Sequence, residues 1–394
     1  MKINQAVILA GGVGSRLKEI TNKTAKPLIK INKKPFISYL VDDLENANIL
    51  KIIILAGYKG KDIKNMFSNK KNIKVIVEKK PLGTGGSIVT AKEYLDEYFL
   101  LLNGDSYFNL NLETKILNFK KKNSQIFITK NNNYKSNKLL SNLSLDKNKK
   151  VIASKYGLYM YSGVSILKKM DLQNFSQNVF ISLEKQIFDN LIKRKKLEGE
   201  INNESFIDIG TKSNLILAKN NFNKILKKKC FFFDRDNTLI YDKGYTYKKC
   251  DLKWTPGAIE AIKFLKNRNF LVIIITNQSG IAKGYFTEKN VINFHNHMNL
   301  ILRKNNTFID DFFYCPYHEN GIGKYKRKTN LRKPGNQMIK NSITKWNINK
   351  KKSFFVGDDL KDKQAAKKSN IKFFYTNNKD LLKLVKNILK KYEY

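Results

Sequence analysis

The chain has little cysteine, little arginine, few acids and no long apolar run. Its three cysteines, Cys230, Cys250 and Cys315, stand far apart in 394 residues. That spacing excludes a disulfide framework and a CxxC metal pair. No apolar run reaches the roughly 20 residues that span a bilayer. Ala6–Ala10 is a short apolar stretch that leads straight into glycines, which predicts no secretory leader. A soluble, cytoplasmic protein with no membrane partner is expected. No Gly/Ser/Pro-rich linker and no short-period repeat divides the sequence.

Acids are outnumbered, 33 against 75 basic residues, for a net charge of +42. Such a charge invites a nucleic-acid reading, but its distribution argues for a solvated coat. Residues 1–229 carry 42 basic and 19 acidic side chains, and residues 230–394 carry 33 and 14, so neither half holds the excess. Only 7 of the 75 basic residues are Arg, with Asn and Ile abundant alongside Lys, as a nucleotide-biased genome would produce. No nucleic-acid partner is expected. The positive field would instead help to draw in polyanionic small substrates. The sequence does not reveal an oligomeric state.

What is present is a repeated strand–helix rhythm, long enough for two domains. In the first half the spacing predicts strands at Ala6–Ala10, Lys51–Ala56, Lys74–Val77 and Tyr98–Leu102, with helices at Pro35–Ala47, Gly60–Phe67 and Gly85–Leu95. The second half predicts strands at Phe231–Asp234, Leu271–Thr276, Asp311–Cys315, Ser353–Gly357 and Lys372–Tyr375, alternating with helices at Gly257–Arg268, Glu288–Arg303, Gly335–Trp346 and Asp362–Ser369. The fold class is α/β, with two doubly wound, mostly parallel sheets in domains spanning 1–225 and 230–394. The Asn/Lys/Ser-rich stretch 130–150 reads as a polar loop or hairpin edge.

Leu9–Leu17 reads Leu-Ala-Gly-Gly-Val-Gly-Ser-Arg-Leu, and Lys26-Pro27 follows. After a strand, Gly11, Gly12 and Gly14 let backbone N–H groups wrap a phosphate, while Arg16 and Lys26 supply charge. The pattern is neither a dinucleotide fingerprint nor a Walker loop, because Leu17 replaces the third glycine and no G-K-[ST] follows. A second glycine turn, Gly83-Thr84-Gly85-Gly86, opens a helix and suits contact with a nucleobase or ribose. Asp105 and Asp208 each end a strand, and two such carboxylates can share a Mg²⁺ that bridges a triphosphate.

These segments, together with Lys33–Phe36, Gly57–Gly60, Glu78–Gly86, Leu102–Phe108, Ser182–Lys185 and Phe206–Thr211, resemble the sugar-1-phosphate nucleotidyltransferases, most of all the D-glycero-D-manno-heptose 1-phosphate guanylyltransferases. The resemblance covers residues 1–225 and implies a Rossmann-like fold. By it, Gly11, Gly12, Gly14, Ser15 and Arg16 hold the triphosphate and Lys26 steadies it. Asp105 and Asp208 bind Mg²⁺, and Glu184 and Lys185 face the sugar phosphate. The implied partners are an NTP, expected to be GTP, and a heptose phosphate. Where that family has Asn-x-Gly near the sugar, this chain has Tyr161-Ser162-Gly163.

In the second half, Phe231-Phe-Phe-Asp234-Arg-Asp236-Asn-Thr238 puts two carboxylates at the end of an aromatic strand. Thr276-Asn277, Arg332-Lys333-Pro334 and Gly357-Asp358-Asp359 also fall at or beside C-terminal strand ends, where ligands bind in open α/β sheets. An aspartate nucleophile with Mg²⁺ suits that arrangement. These motifs resemble the haloacid dehalogenase superfamily, and Thr276–Glu288 with Arg332–Gly335 resembles its D-glycero-D-manno-heptose 1,7-bisphosphate 7-phosphatases, with histidinol phosphatases as near relatives. By that resemblance Asp234 is the nucleophile and Asp236 the general acid and base. Asp234, Asp358 and the main-chain carbonyl of Asp236 hold Mg²⁺. Thr276 and Lys333 neutralise the phosphoryl group, and Asn277 and Arg332 contact substrate. Only 42 positions separate Asp234 from Thr276 and 57 separate Thr276 from Lys333, so a capless enzyme is expected. Relatives often bind zinc through C-x-H and C-x-C. Here Tyr317, Thr329 and Leu331 stand at three of those places, so no zinc is expected. His295 and His297 are expected at the surface.

Together these readings predict a bifunctional enzyme that removes the 7-phosphate of a heptose 1,7-bisphosphate and joins the heptose 1-phosphate to an NTP, with Mg²⁺ in both domains. The same two chemistries on another sugar phosphate, with a histidinol-phosphatase-like second half, are one alternative. A basic nucleic-acid-binding protein is the other.

Overall fold

The structure is a computed structural model that describes residues 3–120, 122–130, 142–154, 157–376 and 380–393. The chain forms two compact units, Met1–Ile225 and Leu226–Tyr394. Among the described residues no helix is long and apolar enough to cross a membrane.

In the first unit four parallel strands lie in the order Tyr98–Asn103, Gln5–Ala10, Lys51–Ala56, Ile73–Val77. Gln5–Ala10 is buried along its whole length, as expected for a strand covered on both faces. Phe36–Asn46 is a helix because Phe36, Ile37, Leu40, Val41 and Leu44 recur at helical spacing and all are buried. The sheet is more mixed than the sequence predicts. Tyr159–Lys168 runs antiparallel beside Tyr98–Asn103 and also pairs with Ser124–Lys130, which in turn pairs with Leu197–Ile201. Leu143–Leu145, inside the predicted polar stretch 130–150, pairs with Val151–Ala153 just beyond it as an edge hairpin, and residues 131–141 of that stretch lie outside the described residues.

The second unit holds five parallel strands in the order Asp311–Cys315, Leu271–Asn277, Cys230–Phe233, Phe354–Gly357, Lys372–Tyr375. Alternation along the central strand divides the core. Phe231 and Phe233 join one cluster with Phe270, Ile274 and Phe354, and Phe232 joins another on the opposite face with Ile273, Ile275 and Phe355. Each such fully buried side chain contributes about 1.5–3 kcal/mol. A helix not anticipated from the sequence, Leu381–Lys391, buries Leu381, Val385, Ile388 and Leu389 and packs on Ala258–Asn267. In both units the parallel strands end on one edge, and the residues that follow them build the clefts.

Beneath the second sheet Lys266 Nζ lies 2.6 Å from both oxygens of Asp310. Their side chains are 1% and 4% exposed, and Asp310 also accepts from the Val272 N–H at 2.8 Å. Lys266→Met would strand a buried carboxylate and is expected to destabilise this unit by about 3–5 kcal/mol, with Asp310→Asn added to it restoring part of the loss. Both tryptophans, Trp254 and Trp346, belong to this unit. Denaturation followed by tryptophan fluorescence checks the expectation, and an unchanged midpoint in the single variant contradicts it.

Candidate active sites

The first unit carries a cleft of about 420 Å³ at the C-terminal edge of its parallel strands. Gly11, Gly12, Gly14, Arg16, Lys26, Gly83, Thr84 and Asp105 all line it, and so does Glu184. Gly83 has φ +73°, and a Cβ there would lie 2.6 Å from the Ile181 carbonyl oxygen, so glycine alone permits this turn. Lys26 Nζ lies 2.5 Å from Asp105 Oδ2. Glu78 and Ser87 also line the cleft and hydrogen-bond to each other, and burial raises the Glu78 carboxyl above its ordinary value. Neither was assigned a role from the sequence, although Glu78 opens the quoted glycine-turn segment.

Ser15 and Lys185 are not among the lining residues. Ser15 opens a one-turn 3₁₀ helix, and the Lys185 side chain is exposed. Asp208 does not line the cleft either. It is 2% exposed, and its Oδ1 accepts from Gly210 N at 2.8 Å and Asn214 Nδ2 at 3.0 Å. Its strand pairs with Ser106–Phe108, placing Asp208 beside Ser106. A Cβ built on Gly210 would lie 2.9 Å from Asp208 Oδ1 and 3.4 Å from Lys26 Nζ. Lys26 thus pairs with Asp105 at the cleft wall, and Gly210 packs close to both Lys26 Nζ and the buried Asp208 carboxylate. Hard oxygen donors of this kind fit Mg²⁺. Tyr161-Ser162-Gly163 does not line the cleft but packs behind its wall: Tyr161 is buried, Ser162 Oγ donates to the Phe127 carbonyl at 2.8 Å, and Gly163 sits at a β-bulge where a Cβ would lie 3.2 Å from the side chain of Asn103, which lines the cleft.

The second unit carries a cleft of about 360 Å³ lined by every residue predicted for it: Asp234, Asp236, Thr276, Asn277, Arg332, Lys333 and Asp358. Asp362 joins them. Its carboxylate and those of Asp234 and Asp358 offer oxygens within 4.8 Å of one another, a set that fits a hard divalent cation. The Asp236 carboxylate is not part of this set. Gly357 makes the approach possible, since a Cβ there would lie 2.5 Å from Asp362 Oδ2. Lys333, 3% exposed, places Nζ 2.7 Å from Asp234 and 2.6 Å from Asp362.

Burial raises the Asp234 carboxyl to about 8; Lys333 opposes the rise, and Asp362 and Asp236 add to it. Burial, then Asp362, also raises Asp358. Burial works against the Lys333 ammonium, but Asp234 and Asp362 hold it above its ordinary value. Burial is the largest influence on all three groups, and the charges of the lysine and its neighbouring carboxylates act on top of it.

Asp236 is held differently. Its oxygens accept from Arg235 Nε at 2.8 Å and Nη2 at 3.1 Å, and Oδ2 also accepts from Gln278 Nε2 at 2.9 Å. Thr276 Oγ1 accepts from the same Gln278 nitrogen at 2.9 Å. Asn277 was predicted to touch substrate, but both ends of its amide engage the Lys333 main chain, at 3.0 and 3.1 Å. Arg332 lines this cleft and a second cavity of about 670 Å³ that also receives Arg327, Lys328 and Lys368. Its Nη1 is buried without a protein partner.

Of the donors such a zinc site uses, this loop keeps Cys315 and His318. Burial raises the Cys315 thiol, and its sulfur faces the Tyr317 carbonyl at 3.8 Å. His318 Nδ1 accepts from Asn320 N at 3.1 Å. The expectation for His295 is corrected: it is 4% exposed, with its ring stacked 4.3 Å from Phe312, because its helix turns that face onto the sheet. Asp362, Gln278 and Tyr245 line the cleft and Arg235 is buried beside it, and the sequence assigned none of these four a role.

Residues 5–138 match the family model described as nucleotidyl transferase, and residues 229–382 match the one described as polynucleotide kinase 3 phosphatase. The D-glycero-beta-D-manno-heptose-1,7-bisphosphate 7-phosphatase of Pasteurella multocida (strain Pm70) is 39% identical over 145 residues, covering 37% of this chain and 79% of that protein. Among solved structures, HddC from Yersinia pseudotuberculosis is 26% identical with TM-score 0.48, covering 56% of this chain and 100% of its own. The inositol-1-phosphate CTP transferase from T. maritima is 19% identical with TM-score 0.50, over 57% of this chain and 97% of its own. The last likeness concerns the fold of the first unit.

The Asp234 shift has a testable sign. Below about pH 3.9 the carboxyl is protonated both folded and unfolded. Between there and its folded value, the folded chain keeps a proton that the unfolded chain has released, so stability falls as pH rises. Without divalent cations, the second unit is expected to lose stability between about pH 5 and about pH 8 more steeply than Asp234→Asn does. Tryptophan-monitored denaturation across that range checks it, and equal slopes would sink the assignment.

Proposed function

We propose, for a chain that belongs through its second unit to the D-glycero-β-D-manno-heptose-1,7-bisphosphate 7-phosphatase family, two consecutive reactions on one sugar. The chain is an α/β enzyme that joins a nucleotidyltransferase to a phosphoric monoester hydrolase. In the proposed first reaction the second unit removes the 7-phosphate of heptose 1,7-bisphosphate. In the second, the first unit transfers a nucleotidyl group, GMP from GTP, to the heptose 1-phosphate and releases pyrophosphate.

The observation that carries the hydrolase reading is the convergence of Asp234, Asp236, Thr276 and Lys333 in one cleft. Asp234 forms a bond to phosphorus as the bond from phosphorus to the sugar oxygen breaks, and Asp236 gives that oxygen a proton. Asp236 then takes a proton from the water that attacks the phosphoaspartate, freeing phosphate. Lys333 and Thr276 meet the phosphoryl oxygens. Asp234 and Asp358, with Asp362 beside them, would hold Mg²⁺, which supplies positive charge to the transferring group. The basic cavity reached through Arg332 suits the phosphate that stays on the sugar, which favours a bisphosphate over a monophosphate.

In the first unit Gly11, Gly12, Gly14, Arg16 and Lys26 would hold the triphosphate, Gly83 and Thr84 the nucleoside, and Glu184 the sugar phosphate. Asp105, with Asp208 behind it, would hold the Mg²⁺ that offsets the triphosphate charge. A sugar-phosphate oxygen attacks the α-phosphorus in line, so positioning and charge carry the rate. The choice of GTP rests on the sequence segments shared with heptose 1-phosphate guanylyltransferases.

Incubation with heptose 1,7-bisphosphate, Mg²⁺ and each NTP in turn, following phosphate and pyrophosphate, tests both halves. Asp234→Asn is expected to remove phosphate release and leave transfer to pre-made heptose 1-phosphate intact. Asp105→Ala is expected to lower transfer by about 10²–10³-fold and spare the hydrolase. No phosphate from the bisphosphate, or loss of both activities in either variant, counts against the proposal.

A further inference from the structure

Arg235 is a fully buried guanidinium, 0% exposed, beside a catalytic cleft. Its side chain makes four hydrogen bonds to three residues. Nε donates to Asp236 Oδ1 at 2.8 Å and Nη2 to Asp236 Oδ2 at 3.1 Å. The same Nη2 donates to the Thr246 carbonyl at 2.9 Å. Nη1 faces His295 Nε2 at 3.3 Å, and the plane of the group lies 5.1 Å from the Phe294 ring.

Each contact has a consequence. The two-pronged grip fixes the Asp236 carboxylate as one contact could not, because a fork sets both position and plane. The Thr246 contact ties that carboxylate to the loop that brings Gly244 and Tyr245 to the cleft wall. His295 backs the fork from behind. Burial, then Arg235, pushes its ring well below its ordinary value, so it stays neutral and offers Nε2 as an acceptor. Asp236 keeps 22% of its side-chain surface open and lines the cleft.

We infer that Arg235 is a positioning residue for proton transfer: it aims Asp236 at the leaving oxygen of the substrate and locks the 242–247 loop to the same point. Arg235 itself touches no reacting atom, since it is fully buried behind Asp236. The inference rests on the assignment of Asp236 as acid and base. It predicts a selective defect. Formation of the phosphoaspartate from an alkyl phosphate needs a proton delivered to a poor leaving group, whereas an aryl phosphate with a good leaving group does not. General acid catalysis contributes typically about 10²–10⁴-fold.

The test measures kcat/KM, which reports the step through phosphoaspartate formation, for heptose 1,7-bisphosphate and for p-nitrophenyl phosphate. Arg235→Met is expected to lower the first by about 10²-fold and the second by less than about threefold. Arg235→Lys keeps a cation without the fork, and it is expected to show the same selectivity in weaker form. If Arg235→Met does not fold, Arg235→Lys carries the test. Equal falls on both substrates, as a merely structural role would give, overturn the inference, and so does no fall on either. Asp236→Asn separates the two levels. If that variant hydrolyses the bisphosphate as fast as the unaltered chain, the assignment of Asp236 itself is wrong. If it does not, while Arg235 variants lose both substrates alike, only the role of Arg235 is wrong.

Discussion

Lys333 Nζ lies 2.7 Å from Asp234 and 2.6 Å from Asp362, and this contact governs how separate strand ends can share one site. Asp234 follows the central strand, and Asp362 follows its neighbour Phe354–Gly357 after a turn and the start of a helix. Bringing two carboxylates together in a buried place is strongly unfavourable unless a cation is supplied. The lysine arrives on the segment before the helix Gln337–Trp346, and the Asn277 amide holds its main chain from the strand on the other side. Removing the ammonium would leave two buried acids, so this pair is structural as well as chemical. Because Asp358 adds a third carboxylate, the lysine still leaves negative charge in excess. Burial is the largest cause of the raised Asp234 carboxyl, with Asp362 and Asp236 adding to it, and the three clustered carboxylates make this a place for a divalent cation.

The first unit uses the same elements with a different balance. Lys26 pairs with Asp105, which ends a parallel strand, but the side chains are 12% and 29% exposed. An ion pair open to water contributes little and can be exchanged. A polyphosphate entering the cleft can therefore draw Lys26 toward itself without stranding Asp105 in an apolar environment. Lys333, 3% exposed, has no such freedom. One unit presents a lysine that can turn to its ligand, and the other a lysine fixed before the ligand arrives. That difference suits the proposed triphosphate site of the first unit and the proposed aspartate nucleophile of the second.

How much of this was legible in the sequence depended on range. Buried parallel strands are continuous apolar runs, so Gln5–Ala10, Lys51–Ala56, Leu271–Asn277 and Asp311–Cys315 stood out. Residues that follow such strands must lie at one edge, so Asp105, Asp234, Thr276 and Asp358 could be placed by topology alone. Contacts made across distant segments were not legible. His295 sits on an amphipathic helix where Asn and His alternate with apolar residues, and only the packing shows that its ring lies flat on Phe312. Arg235 lies between two aspartates and reads as a surface charge. Its burial depends on His295 and the Thr246 carbonyl, 60 and 11 positions away. The antiparallel strands of the first unit were missed because their pairing with Tyr159–Lys168 is set by the tertiary fold. Ser15 and Lys185 belong to segments that reach the cleft but are not among the residues that line it.

The segment between Cys315 and Lys333 shows how a loop without a complete set of metal donors can still present a lysine to the cleft. Glu288, at the first turn of its helix, accepts from the Tyr314 hydroxyl at 2.8 Å and from the Tyr325 hydroxyl at 2.8 Å. One carboxylate thus pins both the strand that enters the loop and the loop's far side. The Ile322 N–H donates to the Ala282 carbonyl at 2.8 Å, and the Arg327 guanidinium covers Tyr317 at 3.6 Å. The Gln337 N–H then closes on the Asn330 carbonyl at 3.1 Å. A tetrahedral metal would bind four donors at a single point, and its loss would free all of them at once. Here the constraint is divided among contacts worth about 0.5–3 kcal/mol each, spread from Tyr314 to Gln337. Losing any one loosens a few residues and leaves the others in place. The positions of Arg332 and Lys333 therefore depend on the order of ordinary side chains along this segment, with Asn277 holding the last link from the neighbouring strand.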